Sequence, residues 1–144
     1  LVGSEMCIRD SDLPQGDYNK VYILASSSRG DRKAVFDIDG RKYEAVVPYY
    51  SGFRAQWAWA DKTKSFVKDG TIAHIGNHRH KMNGRNDAYT FTYLYRLGFD
   101  IAPGAGKLTL PEDADINIFA ITVSGNRIDG TRWACEPRAL PVIE

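Results

Sequence analysis

Residues 33–47 read KAVFDIDGRKYEAVV, and this stretch decides the fold class. Apolar and polar side chains alternate along it, which is the period of two that belongs to a half-buried β-strand. Asp39-Gly40 divides the stretch, and Asp-Gly between two such runs is typical of a two-residue hairpin turn. The stretch therefore predicts a β-hairpin with strands at residues 33–38 and 41–47.

The same signals recur outward from this hairpin, while helical periodicity is weak throughout. Runs rich in β-branched and aromatic residues, bounded by Gly, Pro and Asp, predict further strands at residues 21–28, 71–77, 88–100, 107–110 and 116–123. About eight short strands at this spacing are typical of a β-sandwich or barrel. We predict an all-β fold, a jelly-roll or galactose-binding-like β-sandwich.

Both ends of the chain differ from the predicted sandwich. Residues 1–11, LVGSEMCIRDS, resemble translated sequencing-adapter DNA, so we exclude them from the fold as a non-native segment and expect the native N-terminus to be missing. Such a segment indicates a gene obtained by shotgun or metagenomic sequencing. We place the β-sandwich domain at 12–124 and a polar, proline-bearing tail at 125–144. Packing of this tail on the sandwich is one arrangement that the sequence allows.

Composition excludes several classes of protein. The net charge of +1 gives no reason to expect a nucleic-acid partner, and no apolar run of about 18 residues predicts a membrane-spanning helix. Cys7 lies in the excluded segment, so Cys135 stands alone and neither a disulfide framework nor a cysteine metal motif is expected. No nucleophile elbow, P-loop or dinucleotide fingerprint occurs, and the carboxylates lie mostly in turns. These features favour a protein that is not an enzyme.

All three histidines lie within HIGNHRH, residues 74–80. In an extended strand His74, His78 and His80 share one face, and the two histidines of His-x-His have Cα atoms about 7 Å apart. Imidazoles in this arrangement suit Zn or Cu, and three with an open position would form a catalytic metal site. Arg79, between the pair, opposes cation binding. The alternatives are a sugar site, which needs mixed donors and acceptors, and plain structural hydrogen bonding.

Residues 49–70 are rich in aromatic side chains and predict a long functional loop or an irregular strand. Aromatic rings beside Arg and Gln suit carbohydrate, since the rings pack on C–H faces and the polar groups bind hydroxyls. Trp57 could instead be core, whereas Trp59 is the better candidate for exposure. Other aromatic residues, Phe91 and Phe119 among them, are expected only to pack between strands. The predicted ligand-binding residues are Arg54, Trp57, Trp59, His78, Arg79, His80, Asn83 and Asn86.

An ordered set of segments resembles a known family. The segments are LPQGDYNKVYILASS, RKAVFDIDGRKYEAVV, SGFRAQW, IAHIGNHRH and NDAYTFTYLYRLGFDIAPGAGKLTLPEDADINIFAITV. In this order they resemble the C-terminal β-sandwich region of bacterial family 38 glycoside hydrolases, the α-mannosidase-like enzymes, over residues 12–124. His74 replaces a bulky aromatic residue of that family, and Ala58-Trp59-Ala60-Asp61 replaces an Asp-rich continuation.

The resemblance implies an accessory sandwich in an extracellular or periplasmic enzyme, without the zinc-bearing catalytic domain. Three hypotheses follow. The first is a non-catalytic carbohydrate-binding or accessory module. Its partners would be a polysaccharide or glycan and the catalytic domain of a glycoside hydrolase. Such sandwiches commonly hold a structural Ca²⁺, whose ligands the sequence does not identify here. The second is a small Cu or Zn protein that acts on polysaccharide through His74, His78 and His80. The third is a structural module that packs on a missing catalytic domain.

Overall fold

A computed structural model of the chain describes residues 10–51, 55–57, 65–67 and 70–125. These residues form ten strands: β1 Asp10–Asp12, β2 Lys20–Ser27, β3 Arg32–Ile38, β4 Arg41–Val47, β5 Ala55–Trp57, β6 Ser65–Val67, β7 Thr71–His80, β8 Asn86–Asp100, β9 Lys107–Thr109 and β10 Ile116–Ser124. Among the described residues, no helix is long and apolar enough to cross a membrane.

The strands form two four-stranded antiparallel sheets and one small hairpin. The first sheet has the order β1-β9-β3-β4 and the second has the order β10-β2-β8-β7, while β5 and β6 pair with each other. The chain crosses from one sheet to the other between β1 and β2, β2 and β3, β8 and β9, and β9 and β10. The predicted all-β sandwich is confirmed.

The core lies between the two sheets and is built from strictly alternating positions. In β3, Ala34, Phe36 and Ile38 are buried, and the residues between them are more exposed. The Phe36 ring packs on Phe99 of the second sheet, with ring centroids 5.3 Å apart. The other members of this buried cluster are Leu13, Val21, Ile23, Ala25, Val47, Leu97, Ile101 and Leu108.

The predicted Asp39-Gly40 turn joins β3 to β4. Both residues have positive φ, 49° and 83°, as a type I′ hairpin turn requires. The Asp39 carboxylate also accepts hydrogen bonds from the backbone N–H groups of Gly106 and Lys107, at 2.7 and 3.0 Å. One acidic turn residue thus closes a hairpin and holds the start of β9 against it.

The described fold includes two residues that the sequence analysis sets outside it. Asp10 and Ser11 pair with β9, and the Asp10 carboxylate lies 2.7 Å from Lys107 Nζ. The hydrogen bond from Lys107, followed by one from Thr109, lowers the pKa of Asp10. The other residues of the adapter-like segment and the tail from residue 126 lie outside the described residues.

Strand bounds differ from prediction at the β7–β8 hairpin. We expected a loop over residues 80–87, but His80 pairs with Asn86 and only 81–85 form the turn. The backbone N–H of Lys81 donates to the Arg85 carbonyl at 2.8 Å. Paired strands therefore position residues 78–80 and 86–87, and the turn between them is limited to residues 81–85.

Candidate functional site

The second sheet splits at one end, and a segment of chain enters the gap. β2 and β8 are paired from Lys20↔Asp100 to Ala25↔Tyr95 and separate beyond that point. The residues that follow β4 fill the space: Tyr50 N–H donates to the Ser27 carbonyl at 2.9 Å, and Tyr93 N–H donates to the Tyr50 carbonyl at 2.7 Å. Tyr50 is thereby fixed between the two strands.

Two β-bulges flank this split. In β7 the pairing passes from Ile72↔Tyr95 to His74↔Leu94, so one extra residue precedes His74. In β10 the pairing passes from Ile118↔Ala25 to Ala120↔Leu24, and Phe119 is the extra residue. Bulges redirect side chains and are common beside functional sites. Phe119 is 56% exposed although it lies within a strand.

A cavity of about 400 Å³ lies over the split, within the size range of small-ligand sites. Strands β2, β7, β8 and β10 and the inserted Tyr50 all contribute to it. The lining residues are Ser26, Ser28, Tyr50, His74, Thr92, Tyr93, Leu94, Asn117 and Phe119. We call this cavity the split-sheet pocket.

The described residues that line the split-sheet pocket are mostly aromatic and polar, and none of them is Asp, Glu, Lys or Arg. Serine and threonine hydroxyls donate and accept hydrogen bonds, and the Asn117 amide does both through separate atoms. Phe119 and Tyr50 offer ring faces for C–H groups. This chemistry suits a neutral ligand that has hydroxyl groups on an apolar frame. Among the described residues that line the pocket, none supplies the carboxylate that glycoside hydrolysis requires.

The structure separates the three histidines into two places. His74 pairs with Leu94 and lines the split-sheet pocket. His78 and His80 lie at the β7–β8 hairpin end, opposite Ala88 and Asn86, beyond an irregularity where residues 89–91 of β8 face Asn77 alone. Among the described residues, no group of three His, Cys, Asp or Glu side chains could hold a metal ion. The arrangement that the Cu or Zn hypothesis requires of His74, His78 and His80 is therefore not formed.

His78 and His80 do share a face, as the alternation predicts. Their rings are in edge-to-face contact, with centroids 4.9 Å apart and an interplanar angle of 88°. His78 Nδ1 lies 2.7 Å from Asn77 Oδ1. Whether this pair contacts a sugar stays a prediction.

Arg79 does not join the two histidines. It alternates with them along β7 and its guanidinium donates to the Asp87 carboxylate at 2.6 Å. That hydrogen bond, and next one with Tyr50, raises the pKa of Arg79. Arg79 and Lys81 in turn lower the pKa of Asp87. The charge of Arg79 is therefore already paired with that of Asp87.

The structure places some of the remaining predicted ligand residues and leaves others outside the described residues. The side chain of Asn83 accepts from the backbone N–H of Arg85 at 3.1 Å and so stabilises the turn, while Asn86 is exposed at the start of β8. Arg54 and Trp59 lie outside the described residues, and for Trp57 the backbone alone is described, in β5. The sequence therefore did not identify the residues that line the split-sheet pocket, apart from His74.

A signal for the pocket is present in the sequence. The inward apolar residues of β10 are Ile116, Ile118, Ile121 and Val123, so one step of three interrupts the steps of two. The bulge in β7 has no such signal, because Ile75, the next isoleucine after the buried Ile72, is exposed. A step of three within an alternating strand indicates a bulge. Our expectation that Phe119 and Phe91 only pack between strands is wrong, because both are exposed.

The outer face of the first sheet bears on the third hypothesis, which needs an exposed apolar patch. Val35 and Val46 are exposed on this face. Glu44 lies directly opposite Val35, and Lys33 directly opposite Val46. Apolar and charged side chains thus alternate on the outer face of β3 and β4, and no continuous apolar patch forms there.

Comparison with known proteins identifies the fold family. The family model described as AziU2-like beta-sandwich domain matches residues 9–127. Its description names neither a ligand nor an enzyme, so the resemblance to the α-mannosidase-like enzymes stays a prediction. A search of curated proteins finds no match to this chain.

Proposed function

The chain belongs to the AziU2-like β-sandwich domain family, and from this fold we propose that it is a non-catalytic module that binds a glycan in the split-sheet pocket. The observation that carries the proposal is the lining of the pocket. Four neutral hydroxyl or amide side chains, Ser26, Ser28, Thr92 and Asn117, face the same cavity as the exposed ring of Phe119. Sugar rings combine hydroxyl groups with apolar C–H faces and need both kinds of contact.

The parent of this module is proposed to be a secreted glycan-degrading enzyme. The support is the ordered resemblance to the accessory region of α-mannosidase-like enzymes described above. In such an enzyme the module holds the polysaccharide while a separate catalytic domain cleaves it, which agrees with a described pocket lining that contains no Asp or Glu.

Affinity electrophoresis in soluble mannan, xylan or glucan tests the proposal. We expect at least one polymer to retard the protein. In Phe119→Ala the dissociation constant should rise about tenfold or more, as for loss of a central aromatic contact. Phe91→Ala is the matched control, because Phe91 is a second exposed phenylalanine outside the pocket, 47% exposed against 56% for Phe119.

Two results would contradict the proposal. Glycan binding would be excluded if no soluble polymer retarded the protein and no sugar of a broad glycan array bound it. Retardation that Trp59→Ala abolishes and Phe119→Ala leaves unchanged would instead place the binding site at Trp59, one of the ligand-binding residues predicted from the sequence.

A further inference from the structure

The His78–His80 pair lies outside the split-sheet pocket, and glycan binding there does not use it. His78 is half-buried and His80 is exposed at the end of β7. Within the described residues, the side chain of His80 contacts the His78 ring and forms no hydrogen bond or ion pair. Two imidazoles in contact at an accessible position are available to a further ligand.

The hydrogen bond from His78 to Asn77 selects which ring nitrogen is available. His78 Nδ1 lies 2.7 Å from Asn77 Oδ1, which accepts a hydrogen bond from the tautomer of His78 that is protonated at Nδ1. The neutral ring then carries its lone pair on Nε2. A metal-binding imidazole commonly has this arrangement, in which the second nitrogen donates to an oxygen that fixes tautomer and orientation.

The spacing of the two rings suits a single ion. Nitrogen ligands lie about 2 Å from a first-row divalent metal, so two of them on adjacent coordination positions are about 3 Å apart. Rings with centroids 4.9 Å apart can bring one nitrogen each to that separation. The exposed His80 side chain leaves the other positions open to water.

The two neighbouring cations, Arg79 and Lys81, form ion pairs with Asp87 and not with the two histidines. The Asp87 carboxylate takes Arg79 on one oxygen at 2.6 Å and Lys81 on the other at 3.3 Å. Arg79 points to the opposite face of β7 from His78 and His80. The repulsion expected from the arginine within His-Arg-His is thereby reduced.

From this geometry we propose that His78 and His80 form an exposed two-imidazole site for a divalent transition metal, with Asn77 orienting His78. Copper(II) is the ion that such nitrogen ligands bind most tightly, ahead of nickel and zinc. The site differs from the three-histidine hypothesis, since His74 takes no part and water completes the coordination.

Titration of the full chain with copper(II) tests this site. Isothermal calorimetry measures the affinity and stoichiometry, and pulsed electron paramagnetic resonance counts the coordinated imidazoles. We expect one ion per chain with two coordinated imidazoles. His80→Ala should leave one imidazole and weaken binding more than Asn77→Ala, whose loss should be about tenfold. His74→Ala is the matched control, a histidine of the same strand outside the pair, and should bind as the wild type does.

Either of two results overturns the proposal. One is unchanged copper binding in the double variant His78→Ala/His80→Ala; the other is an equal loss in His74→Ala and His80→Ala. Circular dichroism confirms that each variant is folded. Glycan retardation is expected to be the same in His80→Ala and wild type, so failure of the metal site and failure of the glycan proposal give different results.

Discussion

Two hairpins of this protein, β3–β4 and β7–β8, have the same antiparallel pairing but differ in regularity. β3 and β4 pair without interruption from Arg32↔Val47 to Ile38↔Arg41. The β7–β8 pairing is interrupted twice. The regular hairpin supplies core, whereas the interrupted one places His74 in the split-sheet pocket and the His78–His80 pair at the surface. Where the regular pairing of β7 with β8 is interrupted, side chains become accessible to solvent instead of packing in the core.

Isoleucine truncation gives the largest expected difference between the hairpins. Ile38 of β3 is 3% exposed, whereas Ile75 of β7 is 45% exposed. Ile38→Ala should lower the free energy of unfolding by about 2–5 kcal/mol, because it removes buried methyl groups and leaves a cavity. Ile75→Ala should cost less than about 1 kcal/mol. Urea denaturation measures both, and equal losses would show that the two hairpins contribute alike to the core.

Glycine substitution separates two mechanisms, with a smaller expected effect. A Cβ at Gly76 would clash with Thr92 Oγ1 across the strand pair, whereas a Cβ at Gly40 would meet no atom but strain a backbone with φ of 83°. Gly76→Ala should cost about 1–3 kcal/mol through overpacking. Gly40→Ala should cost about 1–2 kcal/mol through the left-handed backbone.

Addition of Thr92→Ala distinguishes the two glycines. It removes the oxygen that a Cβ at Gly76 would meet, so Gly76→Ala/Thr92→Ala should recover part of the lost stability. The same addition to Gly40→Ala should recover none. A double-mutant cycle by urea denaturation measures this coupling, and a coupling of zero at Gly76 would rule out the clash.

The smallest expected effect is the pH dependence of the β7–β8 hairpin end. The hydrogen bond with Arg79, and next that with Lys81, lowers the pKa of Asp87. The ionised Asp87 carboxylate therefore stabilises the folded state fully at pH values above the ordinary aspartate pKa of about 3.9. This stabilisation is lost as the pH falls through the lower pKa that Asp87 has in the folded state. Wild type should exceed Asp87→Asn in stability at pH 6, and the difference should shrink at pH 3. A pH-independent difference would contradict this ion-pair account.

Sequence alone predicted the regular part of the molecule well. Alternation and the Asp39-Gly40 turn were enough to place β3 and β4, because one buried face imposes a strict period of two. The split-sheet pocket was not predicted, since it depends on the separation of β2 from β8 and the insertion of Tyr50 between them. These are contacts between residues distant in sequence. Phe119 was assigned to packing because residues 116–123 were predicted to form a buried strand.

The histidines show the same limit at shorter range. The shared face of His78 and His80 follows from spacing, and their ring contact confirms it. The separation of His74 from them required knowledge of the pairing partners in β8, which spacing within β7 does not contain. The ion pair of Arg79 with Asp87 likewise depends on the register of the hairpin.

Chemical-shift mapping of the ¹⁵N-labelled protein during titration with oligosaccharides of the best-retarding glycan shows directly which residues contact the sugar. If the split-sheet pocket binds the glycan, we expect shifts concentrated at the backbone amides of Ser26, Tyr50, His74, Asn117 and Phe119, with the β3–β4 hairpin unaffected. Saturable shifts confined to other parts of the chain, or none at all at high oligosaccharide concentration, would contradict glycan binding in this pocket.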